Sequence, residues 1–86
     1  MSKKQKLRDR FHKRPSPKDF RWDDLLTMMK GYGFSWDQSG GGSHGHFVFN
    51  EDKDKVIDIS KTHPNGILLQ YQIDGIKNKL REWSVE

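Results

Sequence analysis

The apolar positions of this chain fall into two helical and three strand-like patterns. Trp22, Leu25, Leu26 and Met29 follow the i, i+3, i+4, i+7 spacing, with Met28 alongside, which predicts an amphipathic helix facing a core. Gly31 and Gly33 end it. Asp23 and Asp24 suit the positive end of the helix dipole, whereas Arg21 stands where a capping hydroxyl is expected, leaving Asp19 as a substitute cap. Phe34 to Gln38 alternates with period two and predicts a strand with Phe34 and Trp36 inward. His46 to Asn50 predicts a second strand, in which Phe47 and Phe49 share one face while His44, His46 and Val48 take the other. Glu51 to Asp54 reads as a polar turn, and Lys55 to Ser60 as a third strand with Ile57 and Ile59 inward. After the irregular connector Lys61 to Gly66, the positions Leu69, Ile73, Ile76, Leu80 and Trp83 recur at helical intervals. Gly75 weakens that helix by about 1 kcal/mol relative to alanine. The expected order is α-β-β-β-α, an α+β domain with two helices packed on one face of a three-stranded antiparallel sheet.

This is the element order of the double-stranded-RNA-binding type. The predicted domain occupies residues 17–86. Residues 1–16 are polar and charged, and Pro15 and Pro17 close them with a stiff break, so a basic disordered tail is expected, with at most a fraying helix around Leu7 to Phe11. Charge follows the same division. Residues 1–21 hold nine basic and two acidic side chains, or +7, within a chain of net charge +4. A basic arm attracts nucleic acid through counterion release, although a solvated solubility tail has the same composition.

At 86 residues the chain is too short to enclose a large cavity, which favours a polymer lying on the surface over an engulfed small molecule. It contains no cysteine, excluding disulfides and thiolate zinc sites. No apolar run is long enough for a membrane span or follows the basic amino terminus as in a signal peptide, so a cytoplasmic protein is expected, with no membrane partner.

Candidate chemistry concentrates between Ser39 and Phe49. Gly40, Gly41, Gly42 and Gly45 offer bare backbone N–H groups suited to a phosphate, and His44 stands where this loop meets a strand. A metal site could draw on His44, His46 and His63, but Asp58 is the sole carboxylate on the same predicted face, so no metal is expected. A Walker loop would require a lysine and a following helix, and neither is present. RNA scission asks for less. RNA carries its own nucleophile, the 2′-OH, so an imidazole titrating near neutrality and a few donors to the phosphate suffice, with no cofactor.

Gly42-Ser43-His44-Gly45-His46-Phe47 resembles the Gly-Ser-His-x-x-Phe signature of the HicA-type toxins, the small mRNA interferases of bacterial toxin–antitoxin pairs. Thr62-His63-Pro64-Asn65-Gly66 is similar to that family's His-Pro connector, and Trp22-Asp23-Asp24-Leu25 with Gly31-Tyr32-Gly33-Phe34 to its first helix and turn. The resemblance implies a metal-independent RNA endonuclease acting on mRNA, with His44 catalytic and a HicB-type antitoxin as its protein partner. Gly42 and Ser43 would present donors to the RNA, and His46, Lys55 and Lys61 would help to hold it. The competing expectation is a non-catalytic RNA-binding or protein-interaction module of the same fold, using Lys77, Lys79 and Arg81 on the last helix.

Overall fold

The computed structural model describes residues 3–38, 44–60 and 66–85. Three strands, β1 (Phe34–Asp37), β2 (His44–Phe49) and β3 (Asp52–Ser60), form an antiparallel sheet with β2 in the centre. Trp36 lies opposite Phe47 and Phe47 opposite Ile57, while Phe34 faces Phe49 and Gly45 faces Ile59. Directly opposed residues share a sheet face, so these residues make one apolar surface, as the alternation predicted. Phe34, Phe47, Ile57 and Ile59 are buried in it, and none of the described positions on the other face is buried.

The element order is α-α-β-β-β-α, with one helix more than expected. Residues Lys3–Phe11 form α1, where a disordered tail, or at most a fraying helix around Leu7 to Phe11, was expected. Leu7 and Phe11, one turn apart, enter the same core as the sheet, and the Phe11 ring meets Phe20 edge-on at 5.3 Å between centroids. Arg8 fastens the helix to its neighbour: its guanidinium lies 4.3 Å from the Tyr32 ring centroid and donates to the Gly31 carbonyl at 3.2 Å. Nine residues with two apolar anchors cannot sustain a helix alone, so only tertiary packing reveals it.

The second helix, α2 (Trp22–Tyr32), buries Trp22, Leu25, Met28 and Met29. Gly33 ends it at φ 97°, a left-handed conformation natural to glycine, and donates its N–H to the carbonyls of Met29 and Lys30. No side chain caps its start. Instead the chain at 20–22 runs beside 66–68: Trp22 N–H donates to the Gly66 carbonyl at 2.7 Å and Leu68 N–H to the Phe20 carbonyl at 2.8 Å. Asp19, the expected cap, pairs with Arg10 at 3.6 Å.

The third helix, α3 (Gln70–Glu82), buries Ile73, Ile76, Lys77 and Leu80. Leu69 is half exposed rather than inward; the buried leucine before the helix is Leu68. Leu69 N–H donates to Gln72 Oε1 at 3.0 Å, and Gln72 Nε2 donates to the Ser60 carbonyl at 3.1 Å, tying the start of α3 to the end of β3.

Two strand boundaries differ from expectation. β2 begins at His44, and the polar turn shrinks to Asn50 and Glu51 because β3 resumes at Asp52 opposite Phe49. Lys53, Asp54 and Lys55 form an irregular insertion before Val56 regains register opposite Val48. Among the described residues, no helix is long and apolar enough to cross a membrane.

If α1 belongs to the core, Phe11→Ala removes a fully buried ring and should destabilise the fold by about 3–5 kcal/mol, as measured by urea unfolding. Unchanged stability would return residues 3–11 to the status of a tail.

Candidate functional site

The face of the sheet that the helices leave uncovered carries the candidate chemistry. Here the register places His46 of central β2 directly between Asp37 of β1 and Asp58 of β3. His46 Nε2 lies 3.2 Å from Asp37 Oδ2, and the imidazole keeps 26% of its surface open to solvent. The pleat explains this exposure: with Phe47 in the core, its chain neighbours must project the other way. A ring partnered by a carboxylate while still open to water is equipped to pass a proton to or from a bound ligand.

His44, the expected catalytic residue, opens β2 with its backbone opposite Ser60. Its side chain, together with Gly42, Ser43, Lys61 and His63, lies outside the described residues. Lys55 is not beside this group. It sits in the irregular part of β3, five residues before Ser60 and therefore roughly 16 Å along the strand, with its Nζ 2.6 Å from Asp52 Oδ2.

A cleft of about 820 Å³ borders the site where edge strand β3 meets α3. His46, Asp58 and Ser60 line its sheet side, and Tyr71, Gly75 and Lys79 line its helix side. Tyr71 is 71% exposed and offers an aromatic face, and Lys79, paired with Glu82 at 3.5 Å, lines the same cleft as Asp58. Sequence reasoning missed Asp37 and Tyr71, and named Lys79 only for a non-catalytic RNA-binding helix face. Outward alternation in β1 could have flagged Asp37, but its pairing with His46 needs the register. Lys79 and Tyr71 reach the cleft only through the docking angle of α3.

Gly45, between the two histidines, has a packing role. A Cβ there would stand 2.5 Å from Trp36 Cζ2 and 2.8 Å from the Asp37 carbonyl oxygen, so the indole lies directly against the β2 backbone. This glycine is required by close approach of a ring, a different reason from the phosphate cradle expected of it. Among the described residues, no group of three or more His, Cys, Asp or Glu side chains is arranged to hold a metal ion.

The molecule thus defines a small α+β domain with an imidazole–carboxylate pair on an open sheet face beside a cleft. No family model, curated protein or solved structure matches the chain.

Two outcomes test this geometry. Gly45→Ala should lower stability by about 1–3 kcal/mol in chemical unfolding, because either the indole or the strand must move. The Lys55 ammonium, and then the Asp54 N–H, hold the Asp52 carboxyl below the ordinary aspartate range. A lowered folded-state pKa stabilises above the unfolded value, and the contribution disappears as pH falls through the folded one. An NMR titration should therefore find Asp52 ionising at unusually low pH, and Lys55→Ala should move its midpoint upward.

Proposed function

We propose that this protein is an RNA endonuclease of the HicA toxin type, cleaving mRNA and restrained by a HicB-type antitoxin. The observation that carries the reading is the His46–Asp37 pair at 3.2 Å on a water-accessible sheet face, two residues along β2 from the motif histidine His44. The order α2-β1-β2-β3-α3 supports a core of double-stranded-RNA-binding type, to which α1 is an addition. The Gly-Ser-His-x-x-Phe motif supports His44 as the residue in contact with the reacting atoms.

In this reading the scissile phosphate lies over the start of β2. His44 accepts the proton of the ribose 2′-OH, O2′ attacks phosphorus, and the bond from phosphorus to O5′ breaks. The departing O5′ takes up a proton, leaving a 2′,3′-cyclic phosphate and a 5′-hydroxyl. His46, held by Asp37, is a positioning residue or the second proton carrier. Lys79, which lines the same cleft as His46 and pairs with Glu82 at 3.5 Å, joins the site as a cation, while Lys55 pairs with Asp52. Backbone donors at Gly42 and Ser43 complete the site by the motif.

His44→Ala should lower RNA cleavage by about 100-fold or more while leaving the unfolding midpoint unchanged, and should relieve growth arrest on expression. Chelator should leave the parent's cleavage rate unaltered. RNA that is bound but never cut by the parent protein would instead favour the non-catalytic module.

A further inference from the structure

A second cleft, of about 470 Å³, opens on the other flank of α3, between the helix and the segment that follows α1. Arg14 and Ser16 line it from the segment, and Asp74, Lys77, Asn78 and Arg81 from the helix. At 3.6 residues per turn, the flank bearing Asp74, Asn78 and Arg81 points away from the one bearing Gln72, Ile76 and Lys79, so this cleft is separate from the site at His46.

Its floor is a built cation. Lys77 is only 9% exposed, yet its ammonium pairs with no carboxylate among the described residues. Nζ donates to the Lys13 carbonyl at 3.1 Å and to Ser16 Oγ at 2.9 Å, and it lies 5.9 Å from the Phe11 ring centroid. Two of its three N–H groups are thereby spent on neutral acceptors, which fix its position without cancelling its charge. Ser16 Oγ in turn donates to Asp74 Oδ1 at 2.5 Å. Arg14 and Arg81 stand exposed at the rim and enter no ion pair among the described residues. Among the described residues lining the cleft, three cations thus accompany one carboxylate, itself already hydrogen-bonded.

We propose that this cleft is a phosphate-binding site for the RNA backbone, an anchor remote from the point of cleavage that rests on the nucleic-acid reading above. The preference for a polyanion over a discrete acidic ligand follows from charge. Exposed guanidiniums around a half-neutralised carboxylate give little to a lone anion in salt, whereas a strand bringing successive phosphates gains counterion release at each contact. The adjoining amino-terminal segment, with +7 over residues 1–21, extends the same field. Packing of α1 is what makes the site, since the chain after Phe11 supplies the Lys13 carbonyl and the Ser16 hydroxyl that hold Lys77.

The test measures binding of a single-stranded RNA to full-length protein carrying His44→Ala, so that affinity is read whether or not the parent cleaves. Adding Arg14→Ala and Arg81→Ala together, both at exposed positions, should weaken binding by about 10-fold or more and reduce the slope of log K against log salt by roughly 1.4. Asp74→Asn should tighten binding. Lys53→Ala, which removes a charge on the distant β2–β3 hairpin, should change affinity less than about two-fold. Unchanged affinity and slope in the double variant would overturn the assignment, as would an equal loss from Lys53→Ala. If the double variant binds RNA normally but loses a polyglutamate peptide that the parent binds, the cleft belongs to an acidic protein and the proposal fails. Normal RNA binding with the expected losses, alongside a parent that never cuts RNA, would sink the nuclease and leave this site standing.

Discussion

The register of the central strand is the constraint on which the rest of this molecule depends. Phe47 packs between Trp36 and Ile57, and Trp22 and Trp36 meet above it at 5.0 Å between ring centroids. Because strand side chains alternate strictly, a slip of one residue would carry His46 into this aromatic layer and Phe47 into water. Burying one phenylalanine ring is worth roughly 1.5–3 kcal/mol, while burying an imidazole and stranding its carboxylate partner adds a cost, so the two effects select the same register. Gly45 makes the arrangement feasible by letting the Trp36 indole rest on the strand itself. The placement of His46 between two aspartates is thus a by-product of where an aromatic core must lie.

The helical layer solves a different problem. A three-stranded sheet of this size has a single apolar face, and α2 and α3 alone leave Phe20 and the start of α2 to be covered. The chain does this with α1, whose Phe11 closes on Phe20, and with the paired stretches 20–22 and 66–68, which satisfy backbone groups that no capping side chain serves. One consequence is the nearly buried Lys77. Its long apolar stem lies in the core while its head finds neutral oxygens at the boundary, an arrangement that retains a positive charge where a salt bridge would have removed it.

Electrostatically the two flanks of α3 are unlike. The cleft beside His46 holds Asp58 and one lysine, Lys79, which pairs with Glu82, whereas the cleft beyond the helix gathers Arg14, Lys77 and Arg81 around Asp74. In the proposed activity this division separates holding from cutting. In that reading the anchoring cations stand away from His46, which is spared the field of several fixed positive charges.

Much of this was legible in the residues. Period-two alternation in 34–38, 46–50 and 55–60 determined which side chains face inward, and the helical spacings of 22–29 and 69–83 located two helices, because burial of apolar side chains imposes those periods wherever one face is covered. The outward position of His46 followed from Phe47 by the same rule. What the chain alone left open were matters of pairing between distant segments. Leu7 and Phe11 are too few to announce a helix, and α1 depends on partners across the fold, among them Phe20, Gly31 and Tyr32. Asp37 and Asp58 are ordinary surface carboxylates until the register sets both opposite His46, and Lys77 reads as one more solvated cation until Lys13 and Ser16 close over it. Local periodicity reports what a segment buries; tertiary structure alone decides what it is buried against, and charge partners are chosen at that second step.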